Sequence, residues 1–442
     1  MLRASAQRLC ARAFSFTPAA PLSPVSRLFP ELDVLHPRNN VPPSIKAALR
    51  GRPLLRTPGH PLATLRDAIV GHFSSPRATG GAPFRAFEAE LSPLVSVAAN
   101  FDELLTPADH VSRRPSDTFY VDDATLLRCH MTAHQTALLR GGHSAFLMVG
   151  DVYRRDTVDA THAPVFHQVD GVRVWDGAQL PPAAAAALAA GDRGPAVAFA
   201  EADLRAELGG LAAALFGAGA PTRWVPAHFP FTEPSLELEV QFEGKWLELL
   251  GCGVVRAGIL AACGRGGGVG WAFGMGLERL AMVLHGVPDI RLFWSEDARF
   301  LGQFAGAAAR AARGASPYAP APVKFEPFSR YPTCYKDLAF WVPAGVAVQG
   351  DEDKDAEGRG LAAGAEGVFH ENDVHAAVRE GAGRWAESVT RIDKFAHPKT
   401  GRTSLCYRVN YRAADRTLTN AEVDGVHARV VQMVKALGVE LR

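Results

Sequence analysis

Residues Gly150 to Gly171 read GDVYRRDTVDATHAPVFHQVDG. Two strand-forming runs flank a short loop, yet charged and amide side chains stand where a sheet would normally bury valine. Successive side chains of a strand point to opposite faces, so Val152, Arg154 and Asp156 share one side of the first run and Arg155 takes the other. If the second run pairs with it, Phe166, Gln168 and Asp170 share a face as well, with the loop from Thr157 to Val165 between. One face of the hairpin then offers a cation, two acids, an amide and an aromatic ring. An exposed hairpin whose polar face simply meets water has the same pattern. This stretch alone therefore leaves site and surface both open.

A second stretch, GWAFGMGLERLAMVLHGVPDIR from Gly270 to Arg291, supplies the missing context. WAFGMG suits a buried, closely approached strand, and Leu277, Leu280, Ala281 and Leu284 form a helical stripe that Gly286 and Pro288 end. Arg279 falls in the first helical turn, where the helix dipole already favours anions. A guanidinium there adds a fork that matches phosphate oxygens.

The rest of the chain sets the frame. Its 442 residues hold 47 Lys and Arg against 46 Asp and Glu, so a basic surface, if there is one, is local. Cys10, Cys129, Cys252, Cys263, Cys334 and Cys406 form no C-x-x-C pair, which speaks against a zinc knuckle or a disulfide framework. No apolar run approaches the roughly 20 residues that span a bilayer. Residues 1–30 carry Arg3, Arg8, Arg12 and Arg27 with no acid before Glu31, the composition of an organelle transit peptide. A disordered tail would have a similar composition.

Residues 31–98 mix Pro and Gly with one helical pattern around His60 to His72 and are expected to form an N-terminal extension. From 99 to 311, short alternating apolar runs give way repeatedly to helical spacing, as in an α+β domain with an antiparallel sheet. AQLPPAAAAALAAGDRGP, Ala178 to Pro195, reads as a surface connection with a helical turn or two. Residues 312–323 are linker-like in their Pro, Ala and Ser content, and a second domain is expected over 324–442. Within it, the segment from Gln349 to Gly367 is acidic and glycine-rich, the composition of a mobile loop. Between Arg391 and Arg416, seven basic residues (Arg391, Lys394, Lys399, Arg402, Arg408, Arg412, Arg416) stand against Asp393 and Asp415, a net of +5.

Arg-x-acid on a hairpin, followed by Gly-x-Gly-x-x-Arg at a strand-to-helix junction, resembles motifs 2 and 3 of the class II aminoacyl-tRNA synthetases. The resemblance narrows to the single-chain organellar phenylalanyl-tRNA synthetases. It rests on NFDELLTPADH (Asn100 to His110), DTFY, LLRCHMTAHQ (Leu126 to Gln135), GDVYRRD, FHQ, HFPFTEP (His228 to Pro234), WLELLGCG (Trp246 to Gly253), WAFGMGLER and PDIRLFWSEDARF, all in the family's order. The implied fold is α+β, a class II antiparallel-sheet catalytic domain followed by a ferredoxin-like anticodon-binding domain.

The resemblance implies that phenylalanine is joined to its tRNA through an adenylate, with ATP and Mg²⁺. Charge grows on phosphate oxygens in the first step, so the enzyme's work is positioning and electrostatic stabilisation. Arg154 then holds the α-phosphate and Arg279 the γ-phosphate. Asp156, which replaces the glutamate of many relatives, faces the adenine side, His162 reaches the phosphates, Phe166 stacks on adenine, and Glu248 contacts the nucleotide or Mg²⁺. His130, Thr132, His134, Gln135, His167, Gln168 and Asp170 are the expected amino-acid side, with Gln168 and Asp170 toward the ammonium. Phe229, Phe231, Ala272 and Phe273 frame the benzyl group, the alanine leaving space at its para end. The basic tail, with Arg402, Arg408 and Arg412, suits unstacked loop bases of tRNA.

The expected protein is a monomer of the mitochondrial matrix or plastid stroma. A non-catalytic, RNA-binding paralogue and a class II enzyme for another amino acid are the alternatives. A dead copy tends to lose one of the two arginines, and both are present. His130 and His134 have metal-ligand spacing on a helix but lack the H-E-x-x-H pattern.

Overall fold

The computed structural model describes residues 32, 35–51, 53–75, 82–307, 318, 322–327, 331–343, 346–349, 368–413 and 416–442. The expected leader over 1–30, most of the expected linker over 312–323 and most of the acidic 349–367 segment lie outside the described residues. Seven strands make the larger sheet: β1 (Arg85–Phe87), β2 (Ala145–Tyr153), β3 (Val165–Asp176), β4 (Thr222–Ala227), β5 (Thr232–Phe242), β6 (Lys245–Val255) and β7 (Gly268–Gly276). Their spatial order is β1-β2-β3-β7-β6-β5-β4. Only β1 runs parallel to its neighbour; every other pair is antiparallel.

Period-two alternation divides this sheet between two environments. Val169 of β3, Trp271, Phe273 and Met275 of β7 and Cys252 and Val254 of β6 point into one core. That core is closed by helices α1 (Pro61–Ser74), α2 (Gly194–Phe216) and α3 (Leu277–His285). Helix α1 starts at Pro61 and is capped by the His60 ring, which accepts the Leu62 amide. Helix α3 stops at Gly286, whose φ of 67° is the left-handed form a helix end favours. Met148, Val152, Val172, Val174 and Ala272 occupy the other face and form a smaller core, which opens into a cavity toward β6.

Helix α1 is built into the main core and β1 is the edge of the sheet. The body of the first domain therefore reaches upstream of residue 99, into the segment expected to be an extension. The sequence around Ala178 to Pro195 holds a helix at Pro182–Ala189 and then enters α2, of 23 residues, whose Ala196, Ala200, Leu204, Leu208 and Leu211 are buried.

The second domain is a four-stranded antiparallel sheet of β8 (Cys334–Trp341), β9 (Ala386–Ala396), β10 (Thr403–Tyr411) and β11 (Glu440–Leu441), in the order β9-β10-β8-β11. Helices α4 (Glu371–Ala382) and α5 (Asn420–Lys435) cover one face, burying Phe340, Leu405, Tyr407, Val374, Val378 and Val430. The stretch ahead of β8 still belongs to the first domain's surface: Phe325 N–H donates to the His285 carbonyl at 2.6 Å and Lys324 pairs with Glu243 at 2.7 Å.

Candidate active site

The first run of the hairpin ends as a strand at Tyr153, paired with Val165, so Arg154 opens the loop and Asp156 is no longer in strand register. Arg154 keeps the expected side. Its guanidinium lies 5.2 Å from the centroid of the Phe166 ring and its Nε donates to the Cys129 carbonyl at 2.8 Å. Arg155 turns the other way, to the Pro115 carbonyl and Asp373.

Arg154, Asp156, His162, Phe166, Glu248 and Arg279 line one cavity of about 1000 Å³, together with His130, Thr132, Gln168, Asp170, Phe229, Phe231 and Ala272. Two sequence segments more than 100 residues apart thus bring both arginines to one space. Arg279 is 75% exposed and its Nη1 lies 3.3 Å from Glu248 Oε2. His162 is half-exposed and bonded through Nδ1 to Asp159 Oδ2 at 2.7 Å, and that bond, against burial, raises its pKa. It holds a proton more readily than a free imidazole, a useful property beside phosphates.

The other end of the cavity is buried. Asp170 is 2% exposed, and burial raises its carboxyl to about 7 despite the Thr132 hydroxyl, which donates to Oδ2 at 2.6 Å. Asp170 Oδ1 has no hydrogen-bond partner among the described residues. The His130 ring, neutral because burial and then Arg154 and His134 lower it to about 3, has a similarly unpartnered Nδ1. Gln168 Oε1 accepts the Met131 amide at 3.3 Å. Phe229 and Phe231 stand nearly parallel, 11° apart with centroids 6.0 Å apart. A buried acceptor and donor pair beside two rings is the polarity of an amino acid with an apolar side chain.

Four expected residues do not present their side chains here. His167 points through the sheet to Glu278, bonded at 2.6 Å and stacked on Trp294 at 5.9 Å. Burial opposes its charge, but Glu278 outweighs that and raises its pKa. Phe273 borders the cavity, but its ring packs in the helix-covered core, 5.2 Å from Phe73. Both are odd neighbours, one place along the strand, of residues that do face the cavity. His134, lowered to about 3 by burial and then Arg128, accepts from Arg128 Nη1 at 3.0 Å, and Gln135 is buried away from the cavity.

Arg128 lies outside the residues expected at the site. It is 1% exposed and its Nε and Nη2 reach the Asp151 carbonyl and carboxylate at 2.7 and 2.5 Å, fixing the 126–135 segment against β2. Its position two residues before His130 in LLRCH was the available signal. Glu237, near Glu248, has its carboxyl raised by burial and then by Glu248 and Glu239. Among the described residues no group of three or more His, Cys, Asp or Glu is arranged to hold a metal ion. A Mg²⁺ near Glu248 would thus need phosphate oxygens to complete its shell.

The basic tail is less free than its local count suggests. Arg402 pairs with Glu440 at 2.7 Å, Arg408 with Asp337 at 2.8 Å, Arg412 with Glu387 at 2.8 Å, Arg416 with Glu422 at 2.6 Å, and Arg391 with Glu371. The flat partners are nonetheless present: Arg408 lies over Tyr335 at 4.3 Å and Arg402 over Trp341 at 5.4 Å.

The family model of the tRNA synthetases class II core domain (F) matches residues 60–184 and 196–304, and that of the ferredoxin-fold anticodon binding domain matches 359–442. The antiparallel sheet with its paired arginines is thus the core of a class II aminoacyl-tRNA synthetase. A phenylalanine–tRNA ligase, chloroplastic/mitochondrial, of Arabidopsis thaliana is 45% identical over 92% of this chain and 83% of its own length. Mitochondrial phenylalanine–tRNA ligases of Mus musculus (42%, 89% of this chain, 83% of that one) and Saccharomyces cerevisiae (34%, 89% and 90%) match similarly. The chain belongs to the organellar phenylalanine–tRNA ligase family.

Proposed function

We propose that this chain activates phenylalanine with ATP and transfers it to the terminal ribose hydroxyl of its tRNA, working as a monomer in the mitochondrial matrix, with the plastid stroma as a second compartment. The observation that carries the reading is the single cavity, charged and open at one end and apolar with a buried carboxyl at the other. Arg154 and Arg279 hold the α- and γ-phosphates and stabilise the charge that grows as the carboxylate attacks the α-phosphorus. Phe166 takes the adenine face, Asp156 the adenine side and His162 the phosphates.

At the buried end, Asp170 Oδ1 receives the ammonium, Gln168 and Thr132 orient it, and His130 Nδ1 meets a polar atom of the substrate. The benzyl group lies between Phe229, Phe231 and Ala272, where ring edges and faces recognise it by shape and quadrupole. Glu248 would hold Mg²⁺ together with phosphate oxygens, and the ion would neutralise charge on the departing pyrophosphate. The exposed sheet face with Arg402, Arg408 and Arg412 takes the anticodon loop, the arginines exchanging their carboxylate partners for phosphates.

Pyrophosphate exchange with each amino acid in turn tests this. The expected result is ATP formation dependent on phenylalanine. Exchange with none, or preference for another amino acid, would replace the reading.

A further inference from the structure

The loop from Arg154 to Pro164 carries Arg154, Asp156 and His162 to the nucleotide end of the cavity, yet much of what fixes its backbone comes from the second domain. Arg155 Nη2 donates to Asp373 Oδ1 at 2.8 Å, and the Arg155 carbonyl accepts from Asn372 Nδ2 at 3.3 Å. The carbonyls of Asp156 and Thr157 both accept from Arg379 Nη2, each at 2.9 Å. The Val158 amide donates to His375 Nδ1 at 3.1 Å, and its carbonyl accepts from the Val389 amide at 2.8 Å. The Val158 side chain, 5% exposed, is packed into the second domain's core beside residues of α4 and β9.

Four consecutive residues are thus tied, one after another, to helix α4 or strand β9. Asn372 itself borders the cavity. Within its own domain this stretch is held mainly at its start, where the Arg154 amide donates to the Pro164 carbonyl and the Arg155 amide to the Asp117 carbonyl. A part-buried carbonyl left without a donor is costly, and Arg379 supplies one charged donor to two of them. Burial disfavours its charge, which the Asp156 carboxylate and then that of Asp159 favour and Arg155 opposes.

We propose that Arg379 is a positioning residue for adenylate formation: docked as it is here, the anticodon-binding domain completes the nucleotide loop and sets ATP affinity before any RNA is bound. The inference rests on the reading of that loop as the ATP loop. It concerns the step in which tRNA takes no part, and Arg379 acts through the loop, touching neither substrate.

The test is pyrophosphate exchange on the full chain without RNA. Arg379→Ala should raise KM for ATP about tenfold or more, the size of one charge-assisted hydrogen bond, while KM for phenylalanine stays as in the wild type. Arg379→Lys, which keeps the charge but not the fork, should recover part of the loss. Hydrogen exchange should show faster exchange of the Arg155 to Val158 amides in Arg379→Ala, and a modest fall in melting temperature is expected as two carbonyls lose their donor. An unchanged KM for ATP overturns the proposal, whether or not the loop loosens. So does a parallel loss in both KM values and kcat with a lowered melting temperature, which assigns Arg379 to stability alone. Arg154→Ala runs beside it: if that variant exchanges normally, the loop reading fails, and if it is inactive while Arg379→Ala is normal, only the present inference fails.

Discussion

The carboxyl at the buried end should make phenylalanine binding follow pH through the neutral range. Burial raises Asp170 from 3.8 to about 7, and the Thr132 bond and the fields of Arg154 and Arg128 offset only part of that. An ammonium docking on the unpartnered Oδ1 needs the ionised form. With a pKa of about 7, the ionised fraction is about 0.9 at pH 8 and about 0.1 at pH 6. KM for phenylalanine in pyrophosphate exchange, at saturating ATP, should therefore rise nearly tenfold from pH 8 to pH 6. Saturating phenylalanine restores the rate, because the bound ammonium holds the carboxylate ionised.

Stability moves in the opposite sense. The folded chain keeps the Asp170 proton to a higher pH than the unfolded chain does. The Asp170 contribution to stability therefore falls as pH rises from about 4 through about 7, by an amount on the order of 4 kcal/mol, and is level above that, while the buried neutral His130 and His134 contribute in the opposite direction below about pH 6.5. Asp170→Asn should flatten the KM profile and remove the Asp170 contribution to stability: phenylalanine binds weakly at every pH, and the variant melts higher than the wild type at pH 8. The His162 titration belongs to the nucleotide end and is masked by saturating ATP. A wild-type KM for phenylalanine that is equal at pH 6 and pH 8 would refute the assignment of Asp170 to the ammonium.

Thr132→Val removes the hydroxyl donor to Asp170 Oδ2 and leaves only the Thr132 backbone to hold the carboxyl's pKa down; the pH midpoint of KM for phenylalanine should move upward from that of the wild type. Arg279→Ala should lower the exchange rate about 10²-fold or more, as when a contact to transition-state charge is removed. Because Arg279 is three-quarters exposed, its melting temperature should be unaffected, and a near-normal rate would remove it from its role. Gly150→Ala would set a methyl 2.5 Å from Arg128 Nη2. Overpacking of this kind typically costs about 1–3 kcal/mol, to be read as a lowered melting temperature together with weaker phenylalanine binding as the 126–135 segment shifts.

Alternation made much of the site legible. Phe166, Gln168 and Asp170 face the cavity because they share parity on β3, and Ala272 does so on β7. The same parity sends His167 and Phe273 to the far side, where Glu278 and Phe73 wait; they entered the expected site through the sequence blocks that contain them, against their own strand positions. His134 and Gln135 follow His130 through a short 3₁₀ turn and a helix start, and only the first residues of that segment reach the cavity. The tail's charge could not be judged along the chain, since Asp337, Glu387 and Glu440 neutralise its arginines from other strands of the sheet. Nor could the ties between Val158 and His375, or Arg379 and Asp156, which join residues over 200 positions apart.

The depth of the cavity has a cause that the glycines of LGCGVV and GWAFGMG already contain. A Cβ on Gly251 would lie 2.7 Å from Phe229 Cζ, and one on Gly274 would lie 3.1 Å from Asp170 Oδ1. The recognition ring and the buried acid are seated in space that side chains on the sheet would fill. Glycine weakens a strand by roughly 0.5–1 kcal/mol relative to alanine. Here the same strands recover it on their other face, where Trp271, Phe273, Met275, Cys252 and Val254 are all at least 97% buried. Packing and binding are thus assigned to opposite parities of β6 and β7. A substitution at an odd position of β7 should be felt first in stability, and one at an even position first in which amino acid the cavity admits.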